Sequence, residues 1–276
     1  MKDMHYVLTH FFTHKDFLAD PDLIPGTMFT PLHLIFAVLF ISGIIACAKF
    51  TGKRRKLVKP VLVGLWLVMV LWEIAIFWWD STAGIRKGPN LLIDLPLYPC
   101  SLYLYTLPFI IWGKGNVRQA ACGYISTLGL LGAVINLLIP AARLTDYSCI
   151  SFAGLHTLCF HGSMFFTFLV LMISGYHRYD HVTGFKDLLL PCVPSLIQSI
   201  PSNILNYTIG SDYMYFRGEF PVVAMIFKNT EPILITISLY ILYILVPALF
   251  YLPAYLHRRR HGEDEDLMIT FSARLS

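Results

Sequence analysis

Seven apolar blocks, each about the twenty residues needed to cross the hydrocarbon core of a bilayer, govern what this chain can fold into. They run from Leu32 to Phe50, Val61 to Trp79, Leu91 to Trp112, Val117 to Leu138, Cys149 to Ser174, Leu188 to Tyr207, and Pro232 to Tyr255. Hydrocarbon offers no water to a bare peptide group, so each backbone amide must be bonded within its own segment, and blocks of this length must be helices. The charge content agrees: 14% of the 276 residues are charged, against roughly 25% in a soluble domain. The expected fold is all-α, a polytopic membrane helical bundle of about seven transmembrane helices. The sixth block is interrupted by Pro191, Pro194, Gln198, Pro201 and Asn203, and a span this polar is tolerated only against other helices or along a cavity.

Basic residues set the orientation. Lys53, Arg54, Arg55, Lys56 and Lys59 follow the first block, and Lys114, Arg118, Arg178, Lys186 and Arg258 to Arg260 fall on the same side. The other side carries Arg86, Lys87, Arg143, Arg217 and Lys228. The excess marks the first side as cytoplasmic, with the N-terminus outside and the C-terminus cytoplasmic. Residues 1–31 then form a polar non-cytoplasmic segment, 32–255 the transmembrane domain, and 256–276 a charged, solvated tail. The start of the chain is polar and rich in histidine, with no apolar h-region, so no cleavable signal peptide is expected and the first span serves as the targeting signal. The net charge of +4 lies between the blocks and is no signature of nucleic-acid binding. The six cysteines include no Cys-x-x-Cys pair, which argues against a disulfide framework or structural zinc. His10 and His14 have the spacing of metal ligands without a third partner; no metal and no cofactor is expected. His177 and His181 read as a solvated cytoplasmic face.

Ionisable groups inside a span are costly and are functional candidates by default. Here they are His33, Glu73, Asp94, His156 and His161, with Cys100, Asn136, Gln198, Asn203 and Asn206 as polar companions. Glu73 has a possible partner in His33, and His156 reads more readily as an interhelical tie. Counting ~1.5 Å per helical residue puts Cys100 roughly 15 Å and His161 roughly 18 Å into their spans, so the two could meet near mid-membrane. A thiol with an imidazole beside it can act as nucleophile and base. Pro96 and Pro99 loosen the helix just before Cys100, which could free backbone amides to hold an oxyanion. His33, Glu73, Asp94, Asn136, Asn203 and Asn206 are the expected lining of a binding pocket in the outer half. Each has a plainer reading: a buried cysteine is usually a small apolar filler, and a membrane histidine often only ties helices together.

At these residues the chain resembles a known family. LPLYPCSLYLYTLP (95–108) resembles the Leu-Pro-Leu-His-x-Cys segment of the YwaF-like integral membrane proteins, with Tyr98 where many bacterial members have His. FHGSMFF (160–166) is similar to their His-Gly segment, and NYTIGSDYMYF (206–216) to their Asn…Gly-x-x-Tyr-Met segment. The resemblance implies a helical bundle and, from its eukaryotic relatives, acyl transfer to lyso-ether-phospholipids with Cys100 and His161 as the functional pair. The expected activity is therefore a membrane acyltransferase, with a Cys100 thioester and His161 as base, whose partners are phospholipids and lysophospholipids. A homo-oligomer is left open. The competing expectations are a transporter or solute-binding bundle built on the same polar pocket, and a lipase-type hydrolase.

Overall fold

A computed structural model describes residues 2–18, 20, 23–139, 143–179, 184–219 and 221–273, with side chains described from His5 to Arg259 within those ranges except at Pro221 and Val222. His181 and Asp22 lie outside the described residues. The elements are helical: α1 (Lys2–Thr9), α2 (Pro31–Gly52), α3 (Arg55–Ala83), α4 (Leu102–Trp112), α5 (Gly115–Tyr124), α6 (Leu130–Leu138), α7 (Phe152–Ile173), α8 (Phe185–Leu189), α9 (Val193–Ile209), α10 (Pro221–Ile226) and α11 (Pro232–Ala273). A π turn at Ile125–Gly129 joins α5 to α6, and a 3-10 turn at Leu190–Cys192 joins α8 to α9. Among the described residues, six stretches are long and apolar enough to cross a membrane: Pro31–Gly52, Arg55–Ala83, Gly115–Leu138, Phe152–Ile173, Phe185–Ile209 and Pro232–Arg259.

The third expected span departs from its reading. Only Leu102–Trp112 is helical, while Leu91 to Ser101 runs in turns. Proline restricts its own φ and pushes the preceding residue out of the α region, and Pro96 and Pro99 do this twice in four residues. The sixth span keeps its helix despite Pro191, Pro194 and Pro201, with its polar residues Ser195, Gln198, Ser199, Ser202 and Asn206 all buried. Apolar character ends near Tyr255, whereas helix α11 continues to Ala273.

Contacts at the helix ends sort the bundle into two faces. On one face Arg55 Nε donates to the Ser174 carbonyl (3.1 Å), the Arg118 guanidinium stacks over Tyr176 (3.9 Å to the ring centroid), and a His177 ring nitrogen is 2.6 Å from the Tyr251 hydroxyl. His177 is therefore buried at the foot of α11 and not on a solvated surface. On the opposite face Trp79 Nε1 donates to Phe12 O (3.0 Å) and Phe152 N donates to Phe11 O (3.0 Å), which folds the N-terminal segment over α3 and α7. Trp112 packs edge-on against Trp66 (5.8 Å), so α4 descends toward the Arg55 face and completes the third crossing that Leu91 began. The helices approach closely where glycine permits. A Cβ at Gly162 would stand 2.6 Å from Phe40 of α2, and one at Gly123 would stand 2.7 Å from Pro191.

The two faces give a direct test of topology. A cysteine introduced at Lys56 should react with a membrane-impermeant maleimide from the cytoplasmic side, and one at Lys228 from the opposite side. Labelling of both from one side would contradict seven crossings.

Candidate functional site

The break in the third span is held by side chains. Tyr213 OH donates to Leu91 O (2.7 Å) and accepts from Leu95 N (3.2 Å). Ser202 Oγ donates to Leu97 O (3.4 Å), Gln198 Nε2 to Tyr98 O (2.8 Å), and Tyr124 OH to Pro99 O (2.5 Å). Asp94 accepts from the Asn90 amide, and Trp66 Nε1 donates to Leu104 O (3.0 Å) one turn into α4. Donors from α3, α5, α9 and the loop after α9 thus supply what a helix would have supplied internally. Those donors are themselves anchored. Asn206 clamps the loop by donating to Tyr213 O (2.8 Å) while its Oδ1 accepts from Tyr213 N (2.8 Å) and Ser211 Oγ (2.9 Å). This lets Met214 and Tyr215 hold positive φ angles of 58° and 60°, a conformation non-glycine residues adopt only when their surroundings impose it.

Cys100 lies two residues before α4, half-buried among the core side chains. Its Sγ is 4.0 Å from Asn136 Nδ2, an amide that also donates to Gly132 O (2.9 Å). Ser101 occupies the N-cap of α4 without a side-chain capping bond; the Tyr103 and Leu104 amides bond back to the Cys100 and Ser101 carbonyls (3.0 Å each), and the positive end of the helix adjoins the sulfur.

His161 is buried on α7. Its Nδ1 is 2.8 Å from Thr157 O, and a carbonyl only accepts, so Nδ1 carries the proton and Nε2 is a bare lone pair. Among the described residues Nε2 has no hydrogen-bond partner. Depth is best counted from the Arg55 face. Helix α4, eleven residues long, rises about 16 Å, and His161 stands about 18 Å above Ile173 at ~1.5 Å per residue. Counted this way, Cys100 and His161 stand at similar heights above that face. Helices α4 and α7 touch at this level: Tyr103 OH lies 3.0 Å from Thr167 Oγ1 and 3.3 Å from Ser163 O, and its ring packs against Phe160 (5.8 Å).

Above this level a cavity of about 640 Å³ opens toward the face where the N-terminal segment folds over α3 and α7. Glu73 and Asp94 line it, together with His156, Thr157, Tyr98, Ser101 and Tyr215. Glu73 pairs with His156 (2.9 Å) and not with His33. At the rim Arg143 makes two bonds to Asp80 (2.6 and 3.1 Å). Burial disfavours the Arg143 charge, yet these bonds overcome that penalty and hold the guanidinium above its ordinary pKa. His14 Nδ1 is 3.1 Å from Asp16, and Lys15 reaches Asp146 (3.3 Å), so the N-terminal segment forms one wall.

The other pocket candidates sit elsewhere. His33 Nδ1 accepts from Phe29 N (3.0 Å) at the start of α2. Asn136 stands by Cys100. Asn203 donates to Tyr240 OH (2.6 Å), and Asn206 is the loop clamp. The Asp80–Arg143 pair escaped the sequence reading because each residue sits at a block end or in a loop, where single charges are ordinary. A carboxylate one residue past an apolar block was the available signal.

Residues 28–255 match a family of membrane proteins, the TMEM164 family. The chain belongs to that family. It is a multi-pass integral membrane protein, and the matched range takes in Cys100, His161, the cavity-lining residues of α3 and α7, and the Asn206 loop. No curated protein and no solved structure matches this TMEM164-family chain.

Gln198→Leu should expose the importance of the clamps. It removes one of the two donors to the Tyr98 carbonyl, the other being the Ser101 amide (3.0 Å), at a cost of about 0.5–1.5 kcal/mol. The midpoint of thermal unfolding in detergent should fall, while Thr208→Ala, on an exposed turn, should stay close to wild type. An unchanged midpoint for Gln198→Leu would contradict the clamp.

Proposed function

We propose that this protein is a membrane-embedded acyltransferase that moves a fatty acyl chain from a phospholipid to a lysolipid through a thioester on Cys100. The observation that carries this reading is the setting of Cys100: a thiol at a held-open break in a span, beside an amide donor and the positive end of a helix, in a bundle that also holds a histidine with a bare Nε2. The likeness of segments 95–108, 160–166 and 206–216 to the YwaF-like proteins supports it further.

In the first half-reaction His161 Nε2 takes the Cys100 proton and the sulfur attacks the ester carbonyl. The positive end of α4 and the Asn136 amide stabilise the charge that develops on oxygen and sulfur. The ester C–O bond breaks, the departing lysolipid oxygen receives the proton from His161, and the thioester remains. The hydroxyl oxygen of a second lysolipid then bonds to the thioester carbonyl carbon, the carbon–sulfur bond breaks, and a proton equal to the one the hydroxyl loses returns to the Cys100 thiolate. The apolar bundle keeps water from the thioester, which favours transfer over hydrolysis.

A broken span beside a polar cavity also suits a solute-binding or transport bundle, and one assay separates the two. In proteoliposomes with a labelled acyl donor and a lysolipid acceptor, the purified protein should form labelled diacyl product. Cys100→Ala and His161→Ala should each lower the rate at least about 100-fold. Cys122→Ala and Cys159→Ala should stay within about twofold of wild type, the size of a minor packing change. Full transfer by Cys100→Ala would remove the acyltransferase reading and leave the binding bundle.

A further inference from the structure

One acid–base pair has no part in these steps. Glu73 of α3 and His156 of α7 are joined at 2.9 Å, and both line the outer cavity. An ionisable pair within spans is costly to keep, and this one is built with care. Trp72 stands edge-on to the imidazole (5.8 Å) and Phe160 packs on it (5.9 Å), fixing the ring from two sides. The carboxylate accepts from Nε2–H, so the opposite nitrogen, Nδ1, is the bare one. His156 is 9% exposed, and its Nδ1 has no hydrogen-bond partner among the described residues. A carboxylate that orients an imidazole and leaves its second nitrogen bare is the arrangement that general-base histidines require. Ser101, the neighbour of Cys100, and Thr157, which orients His161, line the same cavity.

We infer that Glu73 and His156 are the general base for the acyl acceptor, an alcohol that enters from the outer cavity. The inference rests on the acyltransferase reading and divides its two half-reactions between two histidines. His161 serves the loading of Cys100. His156 serves its discharge: Nδ1 takes the acceptor's hydroxyl proton, the oxygen bonds to the thioester carbonyl carbon, and the carbon–sulfur bond breaks. The imidazolium at His156, stabilised by the Glu73 carboxylate, loses its proton to the cavity while the Cys100 thiolate regains one. The half-reaction is then proton-neutral. Glu73 is a positioning residue, and His156 touches the acceptor.

The test separates loading from discharge. Purified protein in nanodiscs of a labelled phospholipid is followed by intact mass before and after lysolipid is added. His156→Gln and Glu73→Gln should load Cys100 within about twofold of the wild-type rate and discharge it at least about 100-fold more slowly, so that the thioester accumulates. Glu73→Asp keeps a carboxylate at a longer reach, so it should load normally and discharge at an intermediate rate. It also serves if the Gln variants fail to fold. Discharge at the wild-type rate in folded Gln variants, or in Glu73→Asp when only that variant folds, overturns the assignment. Loss of loading in a variant that unfolds at the wild-type temperature overturns it too. If the wild type itself never forms a thioester, the acyltransferase reading fails along with the inference.

Discussion

A peptide group inside a bilayer has to find a hydrogen-bond partner within the protein, and eleven residues of this chain meet that demand without a helix. From Leu91 to Ser101 the carbonyls at 91, 97, 98 and 99 each receive a side-chain donor, from Tyr213, Ser202, Gln198 and Tyr124. An unpartnered peptide group there would cost several kcal/mol. The segment is therefore stable only with α5, α9 and the Asn206 loop in place around it. That dependence explains otherwise unconnected features: the polar face of α9, the positive-φ residues Met214 and Tyr215, and the buried hydroxyls of Tyr124 and Tyr213.

The break also creates the site. Because the helix begins only at Leu102, Cys100 lies at its positive end and not in its middle. Because α4 is short, its first turn lies partway through the bundle, against the stretch of α7 that carries Phe160 and Ser163. Because the chain above it is irregular, the outer half of the bundle does not close, and the cavity with Glu73, His156, Asp80 and Arg143 takes the space a regular third helix would have filled. A regular third helix would have removed all three.

How much of this was legible in the sequence follows from range. Block length and the hydrocarbon's demand for internal hydrogen bonds are local facts, so the helical bundle could be read from apolar runs. Pro96 and Pro99 gave local warning of a loosened helix, although not of a break eleven residues long. The partners of polar side chains are set by tertiary packing, so pairing was harder to read. Glu73 binds His156 in place of His33, and Asn203 and Asn206 serve α11 and a loop in place of the cavity. The π turn at Ile125–Gly129 has no mark in composition at all.

The central claim is that Cys100 carries the acyl chain, and the covalent adduct itself tests it most directly. Purified protein incubated with a phospholipid of one defined acyl chain, then digested and analysed by peptide mass spectrometry, should show that acyl mass on the peptide containing Cys100. Neutral hydroxylamine should remove it, as it does a thioester. An unmodified Cys100 peptide, or an adduct confined to Cys159 or Cys122, would contradict the account.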